Sequence, residues 1–266
     1  MVRFDSMGSS ARPGSLPAVD DHLVREDARA EILRGKLLMC PPASEPHGTR
    51  HFTLAYVLGA HVAPGFVGAV DMLTRTDHDS DFAPDASIFP LARDPSTGGR
   101  RLEVLAFEIA ATQPLPSVTE KARALVQRGV RRVFCLTLKR GRVLEWSAAR
   151  DAWDLLDREA TIEDECLARP LPVAALLDAT AADEAVARAL VERRHPVVEA
   201  HIQEAAAAAR RSALLLVLSS RGLVPDSSEA RAIEATHDQA TLDGWLSRAA
   251  VVTSVAELLR APGSAR

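Results

Sequence analysis

Residues 101–110 read RLEVLAFEIA, an almost unbroken apolar run from Val104 onward that is interrupted by a single carboxylate, Glu108. Runs of this kind are strands buried on both faces. A strand covered on both sides belongs to a layered α/β fold. The run also poses a chemical question. A carboxylate inside such a strand costs several kcal/mol, about the desolvation penalty of one ion, unless it is paired or bound to a metal. Ala106, Phe107, Ile109 and Ala110 offer it no local partner. A salt bridge with a distant arginine and a metal ligand are both open readings.

The surrounding sequence supplies the other layers. Pro114 and Pro116 end the run, and Ser117-Val-Thr-Glu120 reads as a capping box that opens a helix running to Gly129. Strands are expected at Arg132–Leu138 and Arg142–Trp146, joined by a turn at Lys139-Arg-Gly141, with an edge strand at Trp153–Leu156. Upstream, residues 21–34 have helix-forming composition and Gly35 would stop that helix. A strand at Lys36–Met39, a helix at Gly48–Val62 and strands at Gly65–Arg75 and Ala83–Phe89 follow. The acidic run Asp77, Asp79, Asp81 reads as a turn between those last two strands. This order is a mixed α/β domain spanning residues 21–178, after a Ser/Gly/Pro-rich stretch, 1–20, expected to be disordered.

Beyond Pro170 strand signals vanish and alanine becomes abundant. Helices are expected at Ala182–Arg194 and Val197–Arg221, the second ending at Gly222. Asp226-Ser-Ser-Glu229 and Ser254-Val-Ala-Glu257 are capping boxes, and Asp238 caps a helix that carries Trp245. Residues 182–262 therefore form an all-α module without a recognisable catalytic set. Association with itself or with a protein partner is its natural use.

Composition narrows the function classes. Hydrophobic residues make up 47% and charged residues 26%, with a formal net charge of −4. That is not the basic surplus of a protein that grips DNA over a wide surface. A nucleic acid would need a local basic patch or a bridging divalent cation. Arg131, Arg132, Lys139, Arg140 and Arg142 are such a patch in sequence, and equally a solvated face. The cysteines, Cys40, Cys135 and Cys166, form no Cys-x-x-Cys pair, which fits a reducing cytoplasm. The N-terminus lacks the apolar stretch of a signal peptide, and no segment is long enough to span a bilayer.

Three residues carry the chemical argument. Asp85 follows Pro84 inside an expected strand, where Asp is disfavoured; it reads as a ligand or as a strand-edge cap. Glu108 is the buried acid. Lys121 stands early in the helix that follows the Glu108 strand, against the helix dipole, and is placed to approach Glu108. Two carboxylates from adjacent strands with an ammonium beside them make a hard-cation site suited to Mg²⁺ or Mn²⁺. His47 and His51 stand four apart on one helix face, as a metal pair would, but no third ligand is in register. They read as structural or capping residues.

The order Pro84-Asp85, Phe107-Glu108-Ile109, Glu120-Lys121, Arg128-Gly129-Val130, with Glu31-Ile-Leu-Arg-Gly35-Lys-Leu-Leu-Met39, Pro41-Pro42 and His47 upstream, resembles the Uma-two family of restriction-endonuclease-like proteins. That family belongs to the PD-(D/E)XK nuclease superfamily, and the resemblance covers roughly residues 20–178. It implies a mixed-sheet nuclease core, Asp85 and Glu108 as metal ligands, Lys121 as the catalytic lysine and Mg²⁺ or Mn²⁺ as cofactor. It also implies DNA as substrate, cut as an endonuclease, with a catalytically inactive nuclease fold serving nucleic-acid or protein interaction as the alternative. Glu31 would match an acid that the superfamily carries on its first helix. The superfamily's usual lysine position, two after the glutamate, is Ala110 here. The resemblance places the lysine on the following helix instead.

Overall fold

In a computed structural model, residues 16–25, 28–111 and 114–260 are described. The expected disorder of 1–15, and the end of the helical module at 261–262, lie outside them. Contacts divide the chain after Ala189 into two compact units.

The first unit opens with β1 (Ala30–Leu33), β2 (Lys36–Met39), α1 (Glu45–His61), β3 (Phe66–Val70), β4 (Thr74–Asp77), β5 (Ser80–Phe82) and β6 (Ala86–Pro90). It continues with β7 (Leu105–Ala110), α2 (Leu115–Arg128), β8 (Arg132–Thr137), β9 (Arg142–Ser147), β10 (Ala152–Leu155), β11 (Thr161–Ile162), β12 (Leu171–Pro172) and most of α3 (Ala179–Glu192). The main sheet has six strands in the order β10-β9-β8-β7-β6-β3. All pairs are antiparallel except β7–β8, which are parallel because α2 crosses between them. A second sheet runs β2-β1-β5-β4, and β11 pairs with β12.

Every residue of β7 is buried, as its apolar run requires. Successive side chains alternate between faces. Ala106 packs with Ala122, Leu125, Val133 and Trp146, and Ala110 with Val118 and Cys135. The even positions of β7, Glu108 among them, therefore face α2. On the odd positions Phe107 stacks on Phe134, its registered neighbour, at 5.0 Å. α1 packs against β3, β6 and β7 through Leu54, Val57 and Leu58.

α2 ends at Gly129, whose φ of 118° no L side chain adopts without strain. A Cβ there would also lie 3.3 Å from Leu102. Gly129→Ala is expected to cost about 1–2 kcal/mol, a backbone penalty of the usual size, seen as a lower urea midpoint with an unchanged slope.

The structure corrects several expectations: the strand expected at Gly65–Arg75 is two, β3 and β4, in different sheets, and the one expected at Ala83–Phe89 begins at Ala86, leaving Asp85 just outside it. Residues 21–34 are not a helix. Glu26 and Asp27 lie outside the described residues, and Ala30–Leu33 is β1, paired with β2 through a turn in which both Arg34 and Gly35 have positive φ. That two-residue hairpin geometry overrides the helix-forming composition. Residues 16–20 pack rather than float: Val19 is buried and the Pro17 carbonyl accepts from Arg128. Asp81 is not in a turn but in β5, fully buried, its carboxylate accepting from the Leu23 and Val24 amides. The second helix starts at Leu115, not Ser117, with Pro114 as N-cap and no side-chain cap. Pro116 fits because the first turn needs no N–H partner from it.

Beyond Ala189 the second unit holds the end of α3, then α4 (Pro196–Ser220), α5 (Ser227–Glu234), α6 (Gln239–Ala249) and α7 (Val255–Leu259). Leu214, Leu218, Ile233, Ala249, Val252, Val255 and Leu258 form its core. The Asp226–Glu229 capping box is closed in both directions, and Asp238 accepts from the Thr241 amide. No helix among the described residues is long and apolar enough to cross a membrane.

Candidate active site

The site forms where the two sheets of the first unit meet α1 and α2. β6 and β7 run antiparallel with Ala86 opposite Phe107, so Asp85, one step before β6, falls opposite Glu108. Asp85 stands between Pro84 and the first residue of β6, and its Oδ2 accepts from the Ile109 amide, which ties it to β7. β1 brings Glu31 in from the second sheet, and α2 brings Lys121 from its second turn.

Lys121 is the hub. Its Nζ lies 2.9 Å from Glu31 Oε2 and 3.0 Å from Glu31 Oε1, donates to the Ala83 carbonyl at 3.3 Å, and stands 3.8 Å from Glu108 Oε2. The Phe82 ring lies beneath it at 5.4 Å. Glu31 is itself fixed by accepting from the Ala83 amide at 3.0 Å. Burial alone would drive the ammonium toward its neutral form. Glu108 and then Glu31 more than offset that, so its pKa is raised. Lys121 is thus a permanent cation and no base near neutrality.

Glu108 has the opposite balance. It is only 2% exposed, and burial pushes its carboxyl up to about 8 against the pull of Lys121, with Asp85 and Glu31 adding repulsion. One of its oxygens, Oε1, has no hydrogen-bond partner. A buried acceptor left open costs stability and points to a missing positive group.

Toward solvent the site continues through α1. His47 Nε2 lies 3.1 Å from Asp85 Oδ1, and this contact raises the His47 pKa. His51 Nε2 donates to the Asp85 carbonyl and lies 3.7 Å from Asp71 Oδ1. Exposure rises along this path: the Asp85 side chain is 15% exposed and that of Asp71 69%. Cys40, near Glu31, is no thiolate; burial and then Glu31 push its thiol up to about 11.

The structure brings together all four residues singled out from sequence: Asp85, Glu108, Lys121 and Glu31. Glu31 arrives on a strand, not on a first helix. The arginine partner considered for Glu108 is a lysine. Asp71 was missed, although an acid inside the apolar stretch Gly65–Arg75 carried the same signal as Asp85; its φ of 49° places it just past β3. Two members of the basic run are neutralised, and Lys139, Arg140 and Arg142 are exposed. Arg131 pairs with Asp164 and Glu165, and Arg132 with Glu145.

The first unit is thus a mixed α/β protein in which Asp85, just before β6, and Glu108 in β7 lie near a buried ammonium. The family model Uma2, described as "Putative restriction endonuclease", matches residues 17–172, and the chain belongs to that family. The helices beyond residue 172 lie outside the match. Among solved structures, the chain is similar to a crystal structure titled as a "putative nuclease" of the DUF820 family from Anabaena variabilis. The two share 16% identity over 56% of this chain and 89% of that one, with a TM-score of 0.46. No curated protein matches.

Proposed function

We propose that the chain is a metal-dependent endonuclease that hydrolyses DNA phosphodiester bonds, with Asp85 and Glu108 as metal ligands, Lys121 as the catalytic cation and Glu31 as its support. The observation that carries this reading is Glu108: a buried carboxylate with an unpartnered oxygen, facing Asp85 across the strand register. The donors there are all carboxylate oxygens, which suit Mg²⁺ or Mn²⁺. Such an ion polarises a phosphoryl oxygen and lowers the pKa of bound water.

The chain's own groups do the rest. The Ile109 amide and His47 hold the Asp85 carboxylate in one orientation. The ion pair with Glu31 keeps Lys121 protonated, so it donates hydrogen bonds and positive charge to a phosphate rather than taking a proton. With Arg131 and Arg132 occupied by acids, attraction for a polyanion falls to the ion, Lys121 and the exposed Lys139, Arg140 and Arg142. The unpaired Cys40, Cys135 and Cys166 accord with a cytoplasmic setting.

The test is plasmid nicking in Mg²⁺ or Mn²⁺. Wild type is expected to nick, and Asp85→Ala and Glu108→Ala to lose about 100-fold or more, as removal of a metal ligand does. Equal activity in all three removes the catalytic assignment. The depth of Glu108 favours one rival, an inactive nuclease fold kept for nucleic-acid or protein interaction. Plasmid binding without nicking would select it.

A further inference from the structure

The histidine pair on α1 is not absorbed by the acid–lysine cluster. His51, Asp71 and Asp85 each present one ligand atom, and these atoms lie within 4.8 Å of one another. They come from three separate elements, α1, the turn after β3 and the turn before β6, which is the construction of a coordination site rather than of a local cap. The strand-end Asp71 holds a positive φ, which aims a short acid where a longer strand would have carried it away. His47 contacts Asp85 Oδ1 from one turn earlier on the same helix, the position of a group that orients a ligating carboxylate. Each carboxylate oxygen accepts more than one bond, so these contacts leave Asp85 able to ligate; ligation by His51 exchanges its Nε2–H bond to the Asp85 carbonyl for a bond to the ion, with the imidazole neutral and its proton on Nδ1.

The geometry points to a second metal site in this chain, formed by His51, Asp71 and Asp85, that takes a divalent transition-metal ion of the zinc, cobalt or manganese type. An imidazole nitrogen discriminates. It suits Zn²⁺ and its neighbours, whereas a site of carboxylates alone suits Mg²⁺. Asp85 would be common to this site and to the Glu108 pair. The site itself stands on three side chains that need neither Glu108 nor Lys121, so it does not depend on nuclease activity.

Titration of the full chain with Co²⁺, followed by visible absorption and calorimetry in the presence of excess Mg²⁺, tests this. Wild type is expected to bind a single tight Co²⁺ per chain that Mg²⁺ does not displace and Zn²⁺ does. His51→Ala and Asp71→Asn are expected to weaken it by about 30-fold or more, in line with loss of a ligand. Glu108→Gln should stay within about twofold of wild type. Asp71→Asn replaces an exposed side chain with one of equal size, so a folding defect does not cloud the result. Undiminished Co²⁺ binding by Asp71→Asn and His51→Ala, or displacement by Mg²⁺, overturns the site. Because nicking is not the readout, a chain that binds Co²⁺ without nicking, or nicks without this Co²⁺ site, separates the two assignments.

Discussion

Glu108→Gln is expected to do two opposite things: to abolish nicking, by about 1000-fold, and to raise the melting temperature of the metal-free protein at pH 8. The first follows from its place as a proposed ligand. The second follows from its burial. In the folded chain the carboxyl is pushed up to about 8 from an ordinary 4.5, so the native state binds a proton more tightly than the unfolded chain. Its stability contribution is complete below about pH 4.5, declines as pH rises from there toward 8, and reaches its floor above. Each tenfold difference in proton affinity between the two states is worth about 1.4 kcal/mol, so the cost at pH 8 is on the order of a few kcal/mol. Glutamine is neutral at every pH and escapes it. Melting curves in EDTA from pH 5 to 8 should therefore diverge, with wild type falling relative to the variant. Parallel curves would show that Glu108 is not destabilised by its surroundings, and its unpartnered oxygen would lose its meaning.

Lys121→Met should produce the largest loss of stability in the first unit. The ammonium is the counter-charge of Glu31 at 2.9 Å and, once Glu108 ionises above about pH 8, of that acid at 3.8 Å as well, and all three side chains are mostly buried. Removing one partner of a buried pair leaves uncompensated charge and costs about 3–5 kcal/mol. Methionine keeps the stem that crosses Phe82, so the loss reports charge rather than packing. The triple change Lys121→Met, Glu31→Gln, Glu108→Gln should recover most of it, since the acids no longer need a counter-charge. Urea unfolding read from Trp146 and Trp153, with Trp245 replaced by phenylalanine, isolates this unit. A single change that costs under about 1 kcal/mol, the range of surface pairs, would mean that water screens the cluster.

The acid–lysine set was legible in the sequence for a physical reason. Glu108 and Asp85 stand in apolar surroundings that penalise a carboxylate, so each announces a function or a partner. The position of Lys121 followed from the short path between the end of β7 and the helix after it. What misled was local composition. Residues 21–34 favour a helix residue by residue, yet pairing with β2 and Asp81 decides otherwise, and only Arg34-Gly35 hinted at a hairpin. Ser117–Glu120 has the letters of a capping box but sits inside a helix already started at Leu115. The proximity of His51 to Asp71 and Asp85 was not legible because those acids approach through the fold, and no spacing rule encodes that. In the helical unit the caps at Asp226 and Asp238 were readable because capping is a contact within three residues.

Ala110 stands two residues after Glu108 on the same face of β7 and packs against Val118 and Cys135. Its small side chain lets α2 lie close, and one turn further along that helix Lys121 reaches the acids. A lysine at 110 would place a long cationic side chain in the cluster that Ala110 now forms with Val118 of α2 and Cys135. Moving the amine to the strand would therefore also change the contact between β7 and α2. An engineer wishing to relocate the charge to the strand would have to redesign the helix contact along with it.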